Sequence, residues 1–239
     1  MIQQLKYDLI KLNYQRRYVV IFWSIIVCCI GYAVHFTYKD LTPIEILDES
    51  MYSFRPIYWL ICAYMIWNIF SSDYHYGTLK TVIPYAKSRR SYLISKMITS
   101  VIMCYLTFIC YIPIMYFSAV AAASLHGSHI SVSLPFFIMS IGDIAGILFL
   151  TGITAFCTII SENEATMIGS SMGSVIIMLI LETVETISRF LPTTWFVVFP
   201  GLVNQHKVID WSVIVAVIAV ALTLSLIAIQ IFRRKDLFG

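Results

Sequence analysis

The chain alternates long apolar stretches with short polar ones. Six of the stretches, at about 18–37, 53–71, 97–119, 133–160, 165–187 and 209–232, are close to twenty residues long or longer. A helix needs about 20 mostly apolar residues to cross roughly 30 Å of hydrocarbon. The pattern therefore predicts an all-α integral membrane protein with six transmembrane helices in a single domain over residues 1–239. Composition agrees: 12% of residues are charged and 59% hydrophobic, where a soluble domain carries about 25% charged residues. The second stretch opens on Arg55 and Pro56, and proline is tolerated in the first turn of a helix.

The cations fix an orientation, because cytoplasmic loops are enriched in Lys and Arg. Of the 16 Lys and Arg residues, Lys6, Lys11, Arg16 and Arg17 precede the first stretch. Lys80, Lys87, Arg89, Arg90 and Lys96 follow the second, and Arg233, Arg234 and Lys235 follow the sixth. The alternate segments hold only Lys39, Arg55, Arg189 and Lys207. Both termini and the 72–96 segment are thus expected in the cytoplasm, together with the SENE loop at 161–164 by the count of spans. No cleavable leader is expected, since the first 17 residues are polar and charged and no small-x-small site follows the first apolar stretch. The net charge of +3 gives no reason to expect a nucleic-acid partner; the position of the cations is the informative property.

Two segments are neither spans nor ordinary loops. Residues 1–17 place Ile2, Leu5, Leu9 and Leu12 at helical spacing, with Lys6, Asp8 and Lys11 on other faces, which predicts an amphipathic helix lying in the interface. Residues 188–207 contain Phe190, Trp195, Phe196 and Phe199 but are broken by Pro192 and Pro200. Non-spanning backbone at membrane depth must be shielded by protein or water, so an outer re-entrant hairpin between spans five and six is expected, with an interfacial aromatic belt as the other reading.

Candidate chemistry is sparse. The six cysteines lie inside apolar stretches without CxxC spacing, as small hydrophobes, and no metal site is expected. GSSMG at 169–173 matches G-x-S-x-G, a pattern that in hydrolases requires a strand-to-helix elbow. Here it falls within a helical stretch, where Gly169 and Gly173 form a GxxxG suited to close helix packing. Asp143 is the carboxylate lying well inside a span, a candidate for a substrate path or proton relay, or else a hydrogen-bonded packing residue. Glu182 and Glu185, three apart, share a helix face at the outer end of span five and could line the same path or simply be solvated. The P-loop pattern is absent, and no catalytic residues are predicted.

The 71–90 segment, SSDYHYGTLKTVIPYAKSRR, is more specific. An acidic residue before Gly-Thr, then a basic residue, an Arg and a Lys leading into the third span, resembles the corresponding segment of ABC-2 type transporter permeases. The matching positions are Asp73, Gly77, Thr78, Lys80, Arg89 and Lys96, with aspartate where glutamate is commoner. Leu191-Pro192 before the last span and the FRRKD ending at 232–236 fit as well. The resemblance implies a bacterial exporter subunit in the cytoplasmic membrane. Its 72–96 segment, with Tyr74, His75, Tyr76 and Arg90 beside the positions above, would dock as a coupling helix on a separate ABC ATPase subunit, and Glu162 and Glu164 would add a second contact. It further implies a second permease subunit, identical or different. ATP and Mg would be bound by the ATPase partner, with no cofactor in this chain. A hydrophobic or amphipathic substrate is expected, such as a bacteriocin or lantibiotic peptide or a drug. The competing readings are an ion- or proton-coupled carrier using Asp143 and a non-transporting membrane sensor.

Overall fold

The structure, a computed structural model, describes Lys6, Ile10 and residues 16–37, 43–75, 88–125, 136–161, 164–188, 190–194 and 211–234. It consists of six long helices: α1 (Arg16–Thr37), α2 (Pro43–His75), α3 (Arg89–Leu125), α4 (Phe136–Ser161), α5 (Glu164–Leu181) and α6 (Trp211–Arg234), with a short helical turn at Glu185–Ser188. Among the described residues there is no strand. Among the described residues three stretches are long and apolar enough to cross a membrane, Arg89–Ser118, Met139–Ile160 and Trp211–Arg234, and Ala165–Leu181 is a shorter apolar helix. The 1–17 segment, apart from Lys6, Ile10 and the start of α1, lies outside the described residues, as do 195–207 of the expected re-entrant hairpin.

The helices form a bundle with α2 at its centre. It packs against α1, α3, α4 and α5, while α4 and α6 make the most extensive pairwise contact. From Phe54 to Ser71, α2 buries Phe54, Arg55, Tyr58, Trp59, Cys62, Ala63, Met65, Ile66, Asn68, Ile69, Phe70 and Ser71. Over this length the helix is apolar nearly all round and has no exposed residue, as expected of a helix surrounded by protein.

Burial runs inside out relative to a soluble bundle. On α1, Val20, Trp23, Val27, Ile30 and Val34 are exposed at helical spacing, and on α6 so are Val215, Leu222, Leu226 and Ile231. The interior holds an apolar core and, sheltered within it, Arg55, Asn68, Lys96 and Asp143 with several serines and threonines. An outer surface this apolar is at home in lipid, where exposing Leu or Val costs nothing and polar groups are what must be hidden.

Local sequence sets the helix ends. Ser88 caps α3: its hydroxyl accepts from the Ser91 backbone N–H at 3.1 Å and its carbonyl from Tyr92 N–H at 3.1 Å. The start of α2 departs from the expectation that Pro56 occupies a first turn. The helix begins at Pro43 and carries Pro56 within it. Proline suits a first helical position, and Glu45, Asp48 and Glu49 in the first two turns favour the positive end of the helix dipole. The helix continues past Pro56, which leaves one carbonyl of the preceding turn without its usual donor. At 33 residues, α2 is about 50 Å long.

The two bundle ends differ in charge. Tyr92 of α3 stacks on Phe232 of α6 with ring centroids 6.1 Å apart, which brings the start of α3 and the end of α6 together. Arg89, Arg90, Lys96, Arg233 and Arg234 therefore share one end, and Arg55, Asp143 and Glu182 lie toward the other.

Candidate functional site

At the end remote from the basic cluster, one turn of α2 reaches three other parts of the chain. Arg55 Nη2 donates to Glu182 Oε2, just past α5, at 2.5 Å, and the two side chains are only 8% and 7% exposed. Tyr58 donates its hydroxyl to Asp143 Oδ1 of α4 at 2.6 Å, with both residues fully buried. Trp59 donates its indole N–H to the Thr193 carbonyl at 3.2 Å. Positions 55, 58 and 59 fall within one helical turn because residues three and four apart share a face. The partners lie 127, 85 and 134 residues along the chain.

Packing fixes this geometry. Tyr58 stacks on Tyr111 of α3 at 5.7 Å between centroids, and Tyr111 stacks on Phe54 at 4.9 Å. The Trp59 ring lies directly over Gly146 of α4, where a Cβ would run into it and would also come within 3.2 Å of Pro192. Segment 190–194 thus tucks into this end of the bundle, with Thr193 and Thr194 buried. The Thr194 hydroxyl donates to the Ser188 carbonyl at 2.8 Å. The Arg55 guanidinium also lies 4.7 Å from the Tyr52 ring centroid.

Of the three carboxylates picked out from the sequence at this end, Asp143 and Glu182 converge on α2 residues three apart. Neither is solvated. Glu185 begins the short helical turn that follows, and its side chain lies outside the described residues. Asp143 Oδ2 has no hydrogen-bond partner among the described residues. The α2 half of the arrangement was missed in the sequence. Arg55 was visible there as a cation inside an apolar stretch, which by itself calls for a buried partner, but Tyr58 and Trp59 look like any core aromatics.

At the basic end, Asp73, Tyr74 and His75 form the last turn of α2, with side chains outside the described residues. Tyr76, Gly77, Thr78 and Lys80 also lie outside, as does Glu162, while Glu164 opens α5 without a described side chain. Arg89 and Arg90 form the first turn of α3, Arg90 exposed and Arg89 half-buried. Lys96, two turns on, is buried at 2% exposure, with its ammonium 5.6 Å from the Tyr92 ring centroid. The structure thus separates Lys96 from the surface on which Arg90 lies.

The GSSMG segment is helical throughout. Ser171 is buried and donates its hydroxyl to the Ala63 carbonyl of α2, which commits it to packing. Gly169 and Gly173 face away from the bundle, and a Cβ at either meets nothing within 4 Å. Close packing through this pair is therefore not made within the described chain. Cys28, Cys62, Cys104, Cys110 and Cys157 are free thiols, and among the described residues no group of His, Cys, Asp and Glu could hold a metal. The arrangement as a whole ties helices together; it does not pair a nucleophile with a base. No family model matches this chain, and no curated protein does either.

Proposed function

We propose that this chain is the membrane-spanning permease subunit of an ATP-driven exporter of the ABC-2 type, working with a separate ATPase subunit and a second permease subunit. On this reading all six long helices cross the membrane, both termini face the cytoplasm, and the 188–207 segment folds back into the outer end of the bundle. ATP and Mg would be held by the partner. Closure of the ATPase pair would push on the 72–96 segment and rock the permease halves, moving a hydrophobic or amphipathic substrate, such as a peptide, between them.

The observation that carries this reading is the first turn of α3. Arg89 and Arg90 stand immediately after the Ser88 cap, at the positive end of the helix dipole, where cations are disfavoured by about 0.3–1 kcal/mol each. Helix stability does not ask for them there. Placement on the cytoplasmic side accounts for cations in this segment, and a docking surface beside the part that resembles a coupling helix gives them a further use. Recovery of a P-loop ATPase when the chain is gently extracted from native membranes is the expected result, with its loss when Arg89 and Arg90 are both changed to Glu in a folded protein. An intact complex repeatedly free of any ATPase would sink the proposal.

A second reading rests on a different observation. Asp143 is fully buried, is bonded through one oxygen to Tyr58 and has no partner for the other among the described residues. A carboxylate so placed is the natural centre of an ion- or proton-coupled carrier. Under that reading Asp143→Asn abolishes transport, whereas the exporter reading predicts that ATP hydrolysis by the complex survives it.

A further inference from the structure

The three ties on one turn of α2 do more than add stability. Each joins α2 to a different element: Arg55 to the Glu182 turn after α5, Tyr58 to α4 and Trp59 to the 190–194 segment. Together they close one end of the bundle round a layer of rings in which Phe54, Tyr111 and Tyr58 stack and Trp59 stands edge-on to Tyr58. Every group in the three ties is polar and withdrawn from water. Such bonds are strong while the site is dry and weaken once water reaches it, because an effective dielectric near 80 replaces one nearer 20.

We infer that the Arg55–Glu182, Tyr58–Asp143 and Trp59–Thr193 ties form a seal across the outer end of the bundle, and that their joint release opens that end to water. The assignment of this end as the outer one rests on the permease reading; the seal itself rests on the geometry. Because all three donors ride on one turn, a small rotation or shift of α2 breaks them together. Gly146 belongs to the device, since its lack of a side chain leaves room for the Trp59 ring and Pro192 against α4.

Cys62 supplies a probe. It lies one turn beyond Tyr58 on α2 and is fully buried. In a full-length chain whose remaining cysteines are replaced by Ala, Cys62 is exposed to a charged, membrane-impermeant maleimide added to either face of sealed vesicles. Slow labelling is expected in the parent. Glu182→Ala should accelerate labelling about tenfold or more from one face, and Trp59→Phe, which keeps an aromatic ring but removes the donor, should do so by a smaller factor. The reversed pair Arg55→Glu with Glu182→Arg should return the rate toward that of the parent. Rates unchanged in variants that remain monodisperse would overturn the seal, as would a reversed pair that labels as fast as Glu182→Ala. If Glu182→Ala does not accumulate, Trp59→Phe decides the question alone. The measurement needs neither ATPase nor substrate, so it judges the seal separately from the exporter reading: labelling as expected in a chain that never co-purifies with an ATPase would leave the seal standing, the missing ATPase alone sinking the exporter reading.

Discussion

The Tyr58–Asp143 bond is a test of how a single buried pair is held. Asp143 is fully buried and Tyr58 donates to it at 2.6 Å. Tyr58→Phe keeps the ring in its stack on Tyr111 but leaves the carboxyl without that donor. A buried polar group stripped of its partner costs about 1–3 kcal/mol, whereas replacing both partners by apolar groups can be nearly neutral. Thermal unfolding of the purified chain in detergent should therefore show Tyr58→Phe destabilised by about 2 kcal/mol, with most of the loss recovered in Tyr58→Phe/Asp143→Leu. A double variant no better than the sum of its parts would mean that Asp143 has another partner of equal weight. Arg55 and Glu182 carry the harsher version, because a buried charge left alone costs about 3–5 kcal/mol.

Between elements, the glycines separate tight contacts from open faces. A Cβ at Gly152 of α4 would stand 2.9 Å from the Ala221 carbonyl of α6, and one at Gly146 would meet the Trp59 ring, whereas Gly169 has open space. Gly146→Val and Gly152→Val should each destabilise the chain by about 2 kcal/mol or more through overpacking, and Gly169→Val should leave the unfolding temperature of the isolated chain near that of the parent. Equal effects at all three would contradict the packing described. The sequence makes the helices legible and their facing illegible. Runs of apolar residues mark α3, α4 and α6 well, since lipid asks only for length and oiliness. The early start of α2 was missed because 43–52 is polar, although Pro43 followed by three carboxylates is a readable helix start. Which face of GSSMG packs could not be read, because serine and glycine both suit close contact and only the neighbouring Ala63 carbonyl decides for Ser171. The Arg55–Glu182 pair, 127 residues apart, has no local signature at all.

For the molecule as a whole, the inside-out burial and the two unlike ends make the path of the chain testable. Ser88 and Thr183 are both exposed, Ser88 at the basic end and Thr183 next to Glu182 at the other. In a cysteine-free chain, Ser88→Cys should react with an impermeant reagent from the cytoplasmic face only and Thr183→Cys from the opposite face only. Reaction of both from one face would remove α5 from the set of crossings. The central place of α2 then bears on how the protein is made. On the six-span path, α2 is the crossing that a bilayer would accept least readily on its own. It carries Arg55 and Asn68 within its buried length, and an arginine in an inserting helix is costly, about 2.5–3.5 kcal/mol at the centre and less toward an end, where Arg55 lies. What shelters those groups comes later in the chain: α3, then α4, then α5 with Glu182 behind it. On that path the polar groups of α2 would wait for partners made later, and a chain interrupted before Glu182 would leave Arg55 without the carboxylate it meets in the finished bundle.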